Sequence, residues 1–587
     1  MSETFQTVKA AWPMLRGALR RGQLFRPQCK LVAPDPDILC EYDVEVPISA
    51  GKVLTCNVFR SKKRAAEGIS DPVVMCAHPY DNHLTPALKK TPLGGPPQQY
   101  RLIPQAGGVP EFSTLTSWES PDPNFWVPAG YTLVNLNLTG YANSVGEAEL
   151  MSHQQGEDYY AAIKWVASQA WCDGNVGLNG VSYLAISQYH AALAASADGN
   201  ASPLKCISPW EGLSDLYRDL ACRGGVEDST FLNFWWHTEV KEPLNNTAEQ
   251  LAAREGALPP DLLKAHPLFE SYWADKAVDF SKVTTPMLVC ASFSDHELHT
   301  PGSVRAFEEA ASARKWLYTH RTGKWVSFYS DEVKALLRDF MDHHLKGVSN
   351  RFDNLPPVRL EVRSSRDAVH EVRSESNWPL SGTEFRKLFL SKDCLADEPP
   401  ETAGEVSYGM DGSAVFDITF TEDTELSGPM SLRLWVEARA QGDAVPDDMI
   451  LCCFLDKRDR KGRSVRFNGS VGITDDMVTR GYIRASRRAL DLERSTDWCP
   501  VARGDTIETL APGEIVPVQI ALCASSTFFA AGEGLRLIVS PTEIVHAPIF
   551  GKDTSANVGR HVLHFGGKFD AYVLVPVIPA DRNQAPV

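Results

Sequence analysis

No apolar run in this sequence reaches the ~20 residues that a membrane-spanning helix needs, so no membrane span is expected. Positive charge is also scarce. The 587 residues carry 58 lysines and arginines against 74 aspartates and glutamates, a formal net charge of −16. A nucleic-acid partner would want a basic face, so none is expected. The 13 cysteines show no close metal-type spacing. Their one tight pair, Cys452-Cys453, points to opposite faces of a strand. Others sit in apolar runs, Cys76 in "VVMCA" and Cys290 in "MLVCAS", where a thiol acts as a small buried hydrophobe. That usage predicts a reduced, cytoplasmic protein. The opening residues lack the continuous apolar stretch of a secretory signal. They do place Phe5, Val8, Trp12, Leu15 and Leu19 on one helical face, beside Arg16, Arg20 and Arg21. Packing on the body of the protein is the expected use of that face, ahead of a transit peptide or a membrane-surface helix. No glycine-rich phosphate loop joins a strand to a helix, so no nucleotide and no cofactor is expected. The string "DHELH", residues 295–299, is not a His-Glu-x-x-His motif, and no metal is expected.

What is present is a change of period along the chain. From about Gly51 to Lys346, strands alternate with helices. "DPVVMCAHPY", "YTLVNLNLT", "NVGLNGV", "KCISPW", "TPMLVCASFSD" and "KWLYTH" read as strands, with "GEDYYAAIKWVASQ" and "DEVKALLRDFMDHHLKG" among the helices. Such alternation predicts a mostly parallel sheet covered by helices, an α/β fold. Residues 211–280 interrupt it with helical pieces, many aromatics and no obvious strand, as a cap over a site would. After Gly347 short strands follow one another between turns, from "LPPVRLEVRSS" to "FDAYVLVPVI", which predicts an all-β sandwich or jelly roll. The expected division is 1–45 as an N-terminal helical or extended segment, 46–210 and 281–349 as the two parts of the α/β core, 211–280 as the helical cap, and 350–587 as the jelly-roll β-sandwich domain.

The chemistry centres on "NGVSYLAIS", where Ser182 stands between a predicted strand and a predicted helix. That is the setting of a nucleophile elbow in an α/β-hydrolase. It is also the setting of an ordinary N-cap serine. The generic elbow wants glycine two places after the serine, but Leu184 stands there, followed by Ala185. A serine nucleophile needs a base and an orienting acid, in the chain order Ser, Asp/Glu, His. Asp295 and His320 fit, each at the carboxyl end of a predicted strand, where open α/β sheets build their sites. Glu297 and Asp331 are weaker acids for the role, and His343 and His344 fall within a predicted helix. The oxyanion would be met by the backbone N–H of Tyr183 and, from the loop "AHPYDNHL", by the Tyr80 hydroxyl.

With those residues in place, "WCDGNVGLNGVSYLA" resembles the nucleophile segment of the cocaine esterase and X-prolyl dipeptidyl-peptidase group of serine hydrolases. Pro79-Tyr80 is similar to the group's Pro-Tyr pair, whose tyrosine donates to the oxyanion, and "SFSD" to its acid segment. Residues 356–587, with "APGEIVPVQIALCASSTFFAAGEGLRLIVSPTE", resemble its C-terminal jelly roll. Three departures stand out. Ala185 replaces the usual glycine. Leu138 and Thr139 stand where the group has an arginine region. "LYTHRTGKW" lacks the Gly-Pro-Trp lead-in to the histidine.

The resemblance implies a serine hydrolase that cleaves a small-molecule carboxylic ester or amide. Ser182 is the nucleophile, His320 the base and Asp295 the orienting acid. An acyltransferase, or an X-Pro-type aminopeptidase with Glu211, Asp215 and Asp219 holding a free amine, is the nearest variant. A non-catalytic binding protein built on a retired hydrolase is the reading from another class. Trp210, Phe231, Phe234, Trp235 and Trp236 would line a hydrophobic pocket. Oligomeric state is left open, a homodimer being one option.

Overall fold

The structure, a computed structural model, describes residues 29–49, 51–86, 107–245, 258, 259, 261–547 and 549–580, together with 8, 9, 12, 15, 16 and 19. Phe5, Arg20 and Arg21 of the arginine-flanked N-terminal face lie outside the described residues; of its other members, Val8, Trp12, Leu19 and Arg16 are exposed and Leu15 packs on the core.

The first half of the chain builds one mixed sheet. Its strands in chain order are β1 (Ile38–Ser49), β2 (Lys52–Ser61), β3 (Asp71–His78), β4 (Thr132–Asn137), β5 (Cys172–Val181), β6 (Leu204–Trp210), β7 (Met287–Ser292), β8 (Lys315–His320), β9 (Val358–Arg363) and β10 (Val369–Glu375). In space they run β1-β2-β4-β3-β5-β6-β7-β8-β9-β10, parallel from β4 to β9. β3, β4 and β7 are buried along their whole length, which is why they read as unbroken apolar runs: helices cover both faces of a parallel sheet. The register aligns His78 with Asn137, Val181 with Trp210, and Ser292 with His320. The carboxyl ends of these strands thus open on one edge, where the site lies.

The strand in "LPPVRLEVRSS", expected to open the β domain, instead extends this sheet. β9 pairs in parallel with β8 through Leu317 and Val358. Arg359 explains the placement: its guanidinium lies over the Tyr318 ring and donates to the Thr319 carbonyl at 2.6 Å.

The helices α1 (His153–Ala167) and α2 (Tyr183–Ala195) cover the sheet beside β5. α1 starts where the Ser152 side chain accepts from the Gln155 N–H. Helix α3 (Thr300–Glu309) follows β7, and α4 (Asp331–Lys346) follows β8. α4 is capped by Ser330 and stops at Gly347 with φ 66°, a left-handed exit that glycine adopts without a Cβ penalty.

Residues 211–280 hold helical segments, including Tyr217–Ala221 and Phe231–Trp235. They also hold a short hairpin, Cys222–Arg223 with Val226–Glu227, that the sequence did not announce. Gly224 at its turn leaves no room for a side chain; a Cβ there would stand 2.0 Å from the Tyr482 carbonyl oxygen. This hairpin is therefore pressed against the C-terminal half of the chain.

That half is all-β. One antiparallel set joins Val516–Phe529, Thr424–Arg439, Tyr572–Ile578 and Glu384–Ser391, with Arg560–Phe565 and Gly404–Tyr408 completing it. A second joins Thr479–Arg484, Ile450–Arg458, Gly534–Ser540 and Ala414–Thr419. Alternate residues such as Leu432, Leu434 and Val436 share one core with Leu451, Leu455 and Leu537, as period-two strands facing each other require.

Gly156 marks a close contact between α1 and α2. A Cβ on it would meet the His190 carbonyl oxygen at 2.5 Å and its carbon at 2.7 Å. Gly156→Ala is expected to lower stability by about 1–3 kcal/mol through overpacking, despite alanine's better helix propensity. Thermal melting against wild type checks this, and an unchanged or raised Tm would contradict the contact.

Candidate active site

β5 ends at Val181, α2 begins at Tyr183, and Ser182 alone makes the turn. Its φ is 60° and its ψ −116°, a conformation that non-glycine residues rarely hold and that concentrates at functional sites. The side chain makes no capping bond to the helix. The N-cap alternative is thereby set aside, because Ser182 Oγ faces His299 Nε2 at 3.2 Å instead. The small-residue requirement of the elbow is met from the other side of the serine. Gly180 has φ 150°, and a Cβ there would stand 2.5 Å from the Leu184 Cβ, so Leu184 occupies the space the glycine leaves. Ala185 in turn sits close to Gly212, where a Cβ would meet its own at 2.9 Å.

Asp295 lies where its position at the end of β7 predicts. Its Oδ2 is 2.6 Å from His299 Nδ1. The two residues are four apart on a single helical turn, in which the Asp295 carbonyl accepts from the N–H groups of Leu298, His299 and Thr300. Nδ1–H donates to the carboxylate, which leaves Nε2 free to accept from Ser182.

His320 is not brought to Ser182. It does end β8, but its Nε2 pairs with Glu211 Oε1 at 2.9 Å and its ring stacks on Trp210. Burial, then the nearby Asp295 charge, push the Glu211 carboxyl well above the usual range, and burial pushes His320 down to about 4. The pair is therefore held as neutral acid and neutral imidazole. The place that the loop after β8 would give a histidine is taken by Lys324, whose Nζ lies 3.3 Å from His299 Nδ1 and 3.5 Å from Asp295 Oδ2. The sequence held two signals for this arrangement. One is the Asp-x-x-x-His spacing of "DHELH", which sets a carboxylate and an imidazole four residues apart on one turn. The other is the missing lead-in before His320.

Burial pushes the Asp295 carboxyl up, and the opposing pull of Lys324 and His299 leaves it below the usual carboxylate range. Burial and then Lys324 push His299 down to about 4, against the smaller upward pull of Asp295. Glu211, Asp295 and His299 lie close enough together to bracket a cation, as do Glu211, Cys290 and His320. Asp295 already pairs with His299 and Glu211 with His320, and the Lys324 ammonium beside Asp295 is poor company for a metal ion.

Tyr80 is buried, and burial holds its phenol far above the usual range, so it keeps its proton. Trp235 Nε1–H donates to its oxygen at 3.1 Å. The Tyr183 hydroxyl is tied away from the elbow, donating to Gln155 and accepting from the Met151 N–H. Ser182, His299, Tyr80 and Tyr183 line one common cavity.

Of the five aromatics expected to line a pocket, Phe231, Phe234 and Trp235 do, joined by Trp118 and Trp325. Trp210 does not line it. It ends β6 and is packed between Tyr318 and His320 under the strand ends. Trp236 does not either, since the next helical residue after Trp235 turns about 100° away. The acids considered for amine binding are also committed elsewhere. Glu211 pairs with His320, Asp215 with Arg218 at 2.9 Å, and Asp219 with Arg305 at 2.9 Å.

Comparison with known proteins places this geometry. Residues 51–325 match the family described as X-Pro dipeptidyl-peptidase (S15 family), and residues 350–574 the X-Pro dipeptidyl-peptidase C-terminal non-catalytic domain. The crystal structure of a CocE/NonD family hydrolase from Staphylococcus aureus has a TM-score of 0.80 at 34% identity, covering 92% of this chain and 94% of that one. The chain belongs to the CocE/NonD family of hydrolases. Cocaine esterase from a Rhodococcus species is 23% identical, over 79% of this chain and 91% of that protein. An aminopeptidase from a marine-sediment thaumarchaeon, 14% identical with a TM-score of 0.66, shares the fold. As in the CocE/NonD family, an α/β-hydrolase unit is joined to a C-terminal all-β domain, and the chain is a serine hydrolase of ester or amide bonds.

His299 must be neutral to accept a proton, so the acid limb of kcat/KM is expected near pH 4. Around the imidazole stand Asp295, Lys324, Ser182 and, at longer range, Asp219. Removing the ammonium in Lys324→Met should raise the His299 pKa and move the acid limb to higher pH. A pH–rate profile of both proteins checks this, and an unmoved limb would contradict it.

Proposed function

We propose that this chain hydrolyses a small-molecule carboxylic ester through an acyl-enzyme on Ser182, with His299 as general base and Asp295 as its orienting acid. The observation that carries the reading is the strained Ser182 turn aimed at His299 Nε2, 3.2 Å away. The chemistry follows from the contacts. His299 takes the Ser182 proton as Oγ attacks the acyl carbon, and Asp295 holds the imidazole in the tautomer that accepts it. The tetrahedral oxyanion is met by the backbone N–H of Tyr183, at the first position of α2, and by the Tyr80 hydroxyl. Trp235 already occupies one side of the Tyr80 oxygen, which leaves the phenol proton for the substrate. His299 then protonates the leaving group, and water, activated by the same base, releases the acid.

The apolar and aromatic lining around Ser182 suits an ester with an aromatic or branched aliphatic group. Commitment of Glu211, Asp215 and Asp219 to internal partners favours this over an X-Pro aminopeptidase. The formed Ser182–His299–Asp295 contacts favour it over a retired, binding-only protein.

In this reading residues 211–280 act as the cap, and the two antiparallel sheets after residue 376 form the jelly roll. Burial pushes the Cys76 and Cys290 thiols well up and keeps them protonated, which suits a reduced, cytoplasmic setting. Among the described residues no helix is long and apolar enough to cross a membrane.

A fluorophosphonate probe tests the assignment without a known substrate. It should label Ser182 in wild type and leave Ser182→Ala unlabelled, read by peptide mass spectrometry. His299→Ala should cost ~10,000-fold in ester turnover, whereas His320→Gln should stay within ~10-fold of wild type. The reverse order would return the base to His320.

A further inference from the structure

The turn that carries both Asp295 and His299 is gripped by the C-terminal domain. Its middle residues, His296 and Glu297, point away from Ser182 and into a buried cluster of charges. Glu297 Oε1 accepts from Arg480 Nη1 at 2.8 Å and from the Tyr482 hydroxyl. Its Oε2 lies 3.2 Å from Lys552 Nζ. Arg480 also pairs with Asp476, whose other oxygen faces His296 Nδ1 at 3.5 Å. The backbone is held as well. Arg223 of the cap hairpin donates to the His296 carbonyl at 2.6 Å, and Arg363 donates to the Phe293 carbonyl at 2.7 Å. The side chains of Glu297, Arg480, Asp476 and Lys552 are all within 1% of complete burial.

Buried charges are a poor source of stability, because the loss of hydration offsets most of the attraction. A fold that needed only to join two domains would do as well with apolar contacts. This cluster instead converges on His296 and Glu297, two of the three residues between the acid and the base. Burial would raise the Glu297 carboxyl, but Lys552, Arg480 and Arg223 pull it down to about 2, so it is held as a charge with fixed partners.

We infer that Glu297, fixed by Arg480 and Lys552 of the C-terminal domain, is a positioning residue that sets the reach of His299 to Ser182. The inference rests on the Ser182–His299–Asp295 reading above. It gives the C-terminal domain a part in catalysis. The domain supplies the template on which the catalytic turn is shaped, and His299 is placed from outside the α/β unit that holds the nucleophile. A displacement of about 1 Å in such a base costs on the order of 100-fold in rate.

The test compares Glu297→Ala, Glu297→Gln and Lys552→Met with wild type. Each is measured for rate of Ser182 labelling by a fluorophosphonate, for kcat and KM on a p-nitrophenyl ester, and for Tm. Wild type must label at Ser182; if it does not, the functional reading fails before this one is reached. Glu297→Ala should lose about 100-fold in kcat and in labelling rate with KM unchanged. Glu297→Gln, which keeps the shape and the acceptor for Arg480 and Tyr482, should recover to within ~10-fold of wild type, and Lys552→Met should fall between them. A merely structural role would lower Tm in all three and leave kcat of the folded fraction intact. That outcome, or a rise in KM at constant kcat, overturns the inference. If Glu297→Ala does not fold, Glu297→Gln and Lys552→Met decide. Wild-type kcat in both sinks the proposal, and a graded loss of kcat alone supports it.

Discussion

A carboxylate and an imidazole held 2.6 Å apart where water does not reach is the condition on which the rest of this site is built. An isolated Asp295 would protonate there, and the base would lose its orientation. The surroundings answer that problem from several directions. Lys324 arrives from the loop after β8 and keeps Asp295 ionised. Burial and the nearby Asp295 charge push the carboxyl of Glu211, which follows β6, well up, and its Oε1 pairs with His320. The histidine that closes β8 is thereby spent on Glu211, and Glu211, Asp295 and His299 stand between it and the nucleophile.

This division of labour explains what could be read in the sequence. The unbroken apolar runs of β3, β4 and β7 and the serine between β5 and α2 declare an α/β sheet with a site at its carboxyl edge. Those features are local, and local patterns survive in one dimension. Asp295 was legible for the same reason, as an acid at a strand end. His299 was not, because generic order favours a histidine after the following strand, and His320 stood there. Deciding between them takes a distance across the fold, from residue 182 to residue 299. Trp210 misled in a similar way: its place beside the cap suggested a pocket wall, but its ring is turned under the strand ends between Tyr318 and His320. The reassignment of Val358–Arg363 to the central sheet also depended on a long-range contact, that of Arg359 with Tyr318 and Thr319.

The cavity joins all three parts of the chain. The α/β unit supplies Ser182 and Tyr80, the segment 211–280 supplies Phe231, Phe234 and Trp235, and the β domain sends in Val471. Val471 has φ 49°, a backbone state that branched residues avoid and that only firm packing maintains. Glu119, with φ 62°, is strained as well, and its side chain accepts from Trp325 Nε1 at 2.8 Å. Strain at Ser182, Glu119 and Val471 therefore rings one small volume.

Because Asp295 and His299 ride on one turn of chain, they form a unit whose internal spacing is set locally. Where acid and base stand on separate loops, two distances must be kept at once, and each loop can fail alone. Here a shift of the turn carries the pair as a body: the Asp295–His299 spacing is kept, while the gap to Ser182 Oγ and the contacts with Lys324 change together. A partner, mutation or solvent condition that acts on the turn from the far side moves carboxylate and imidazole relative to the serine as one piece.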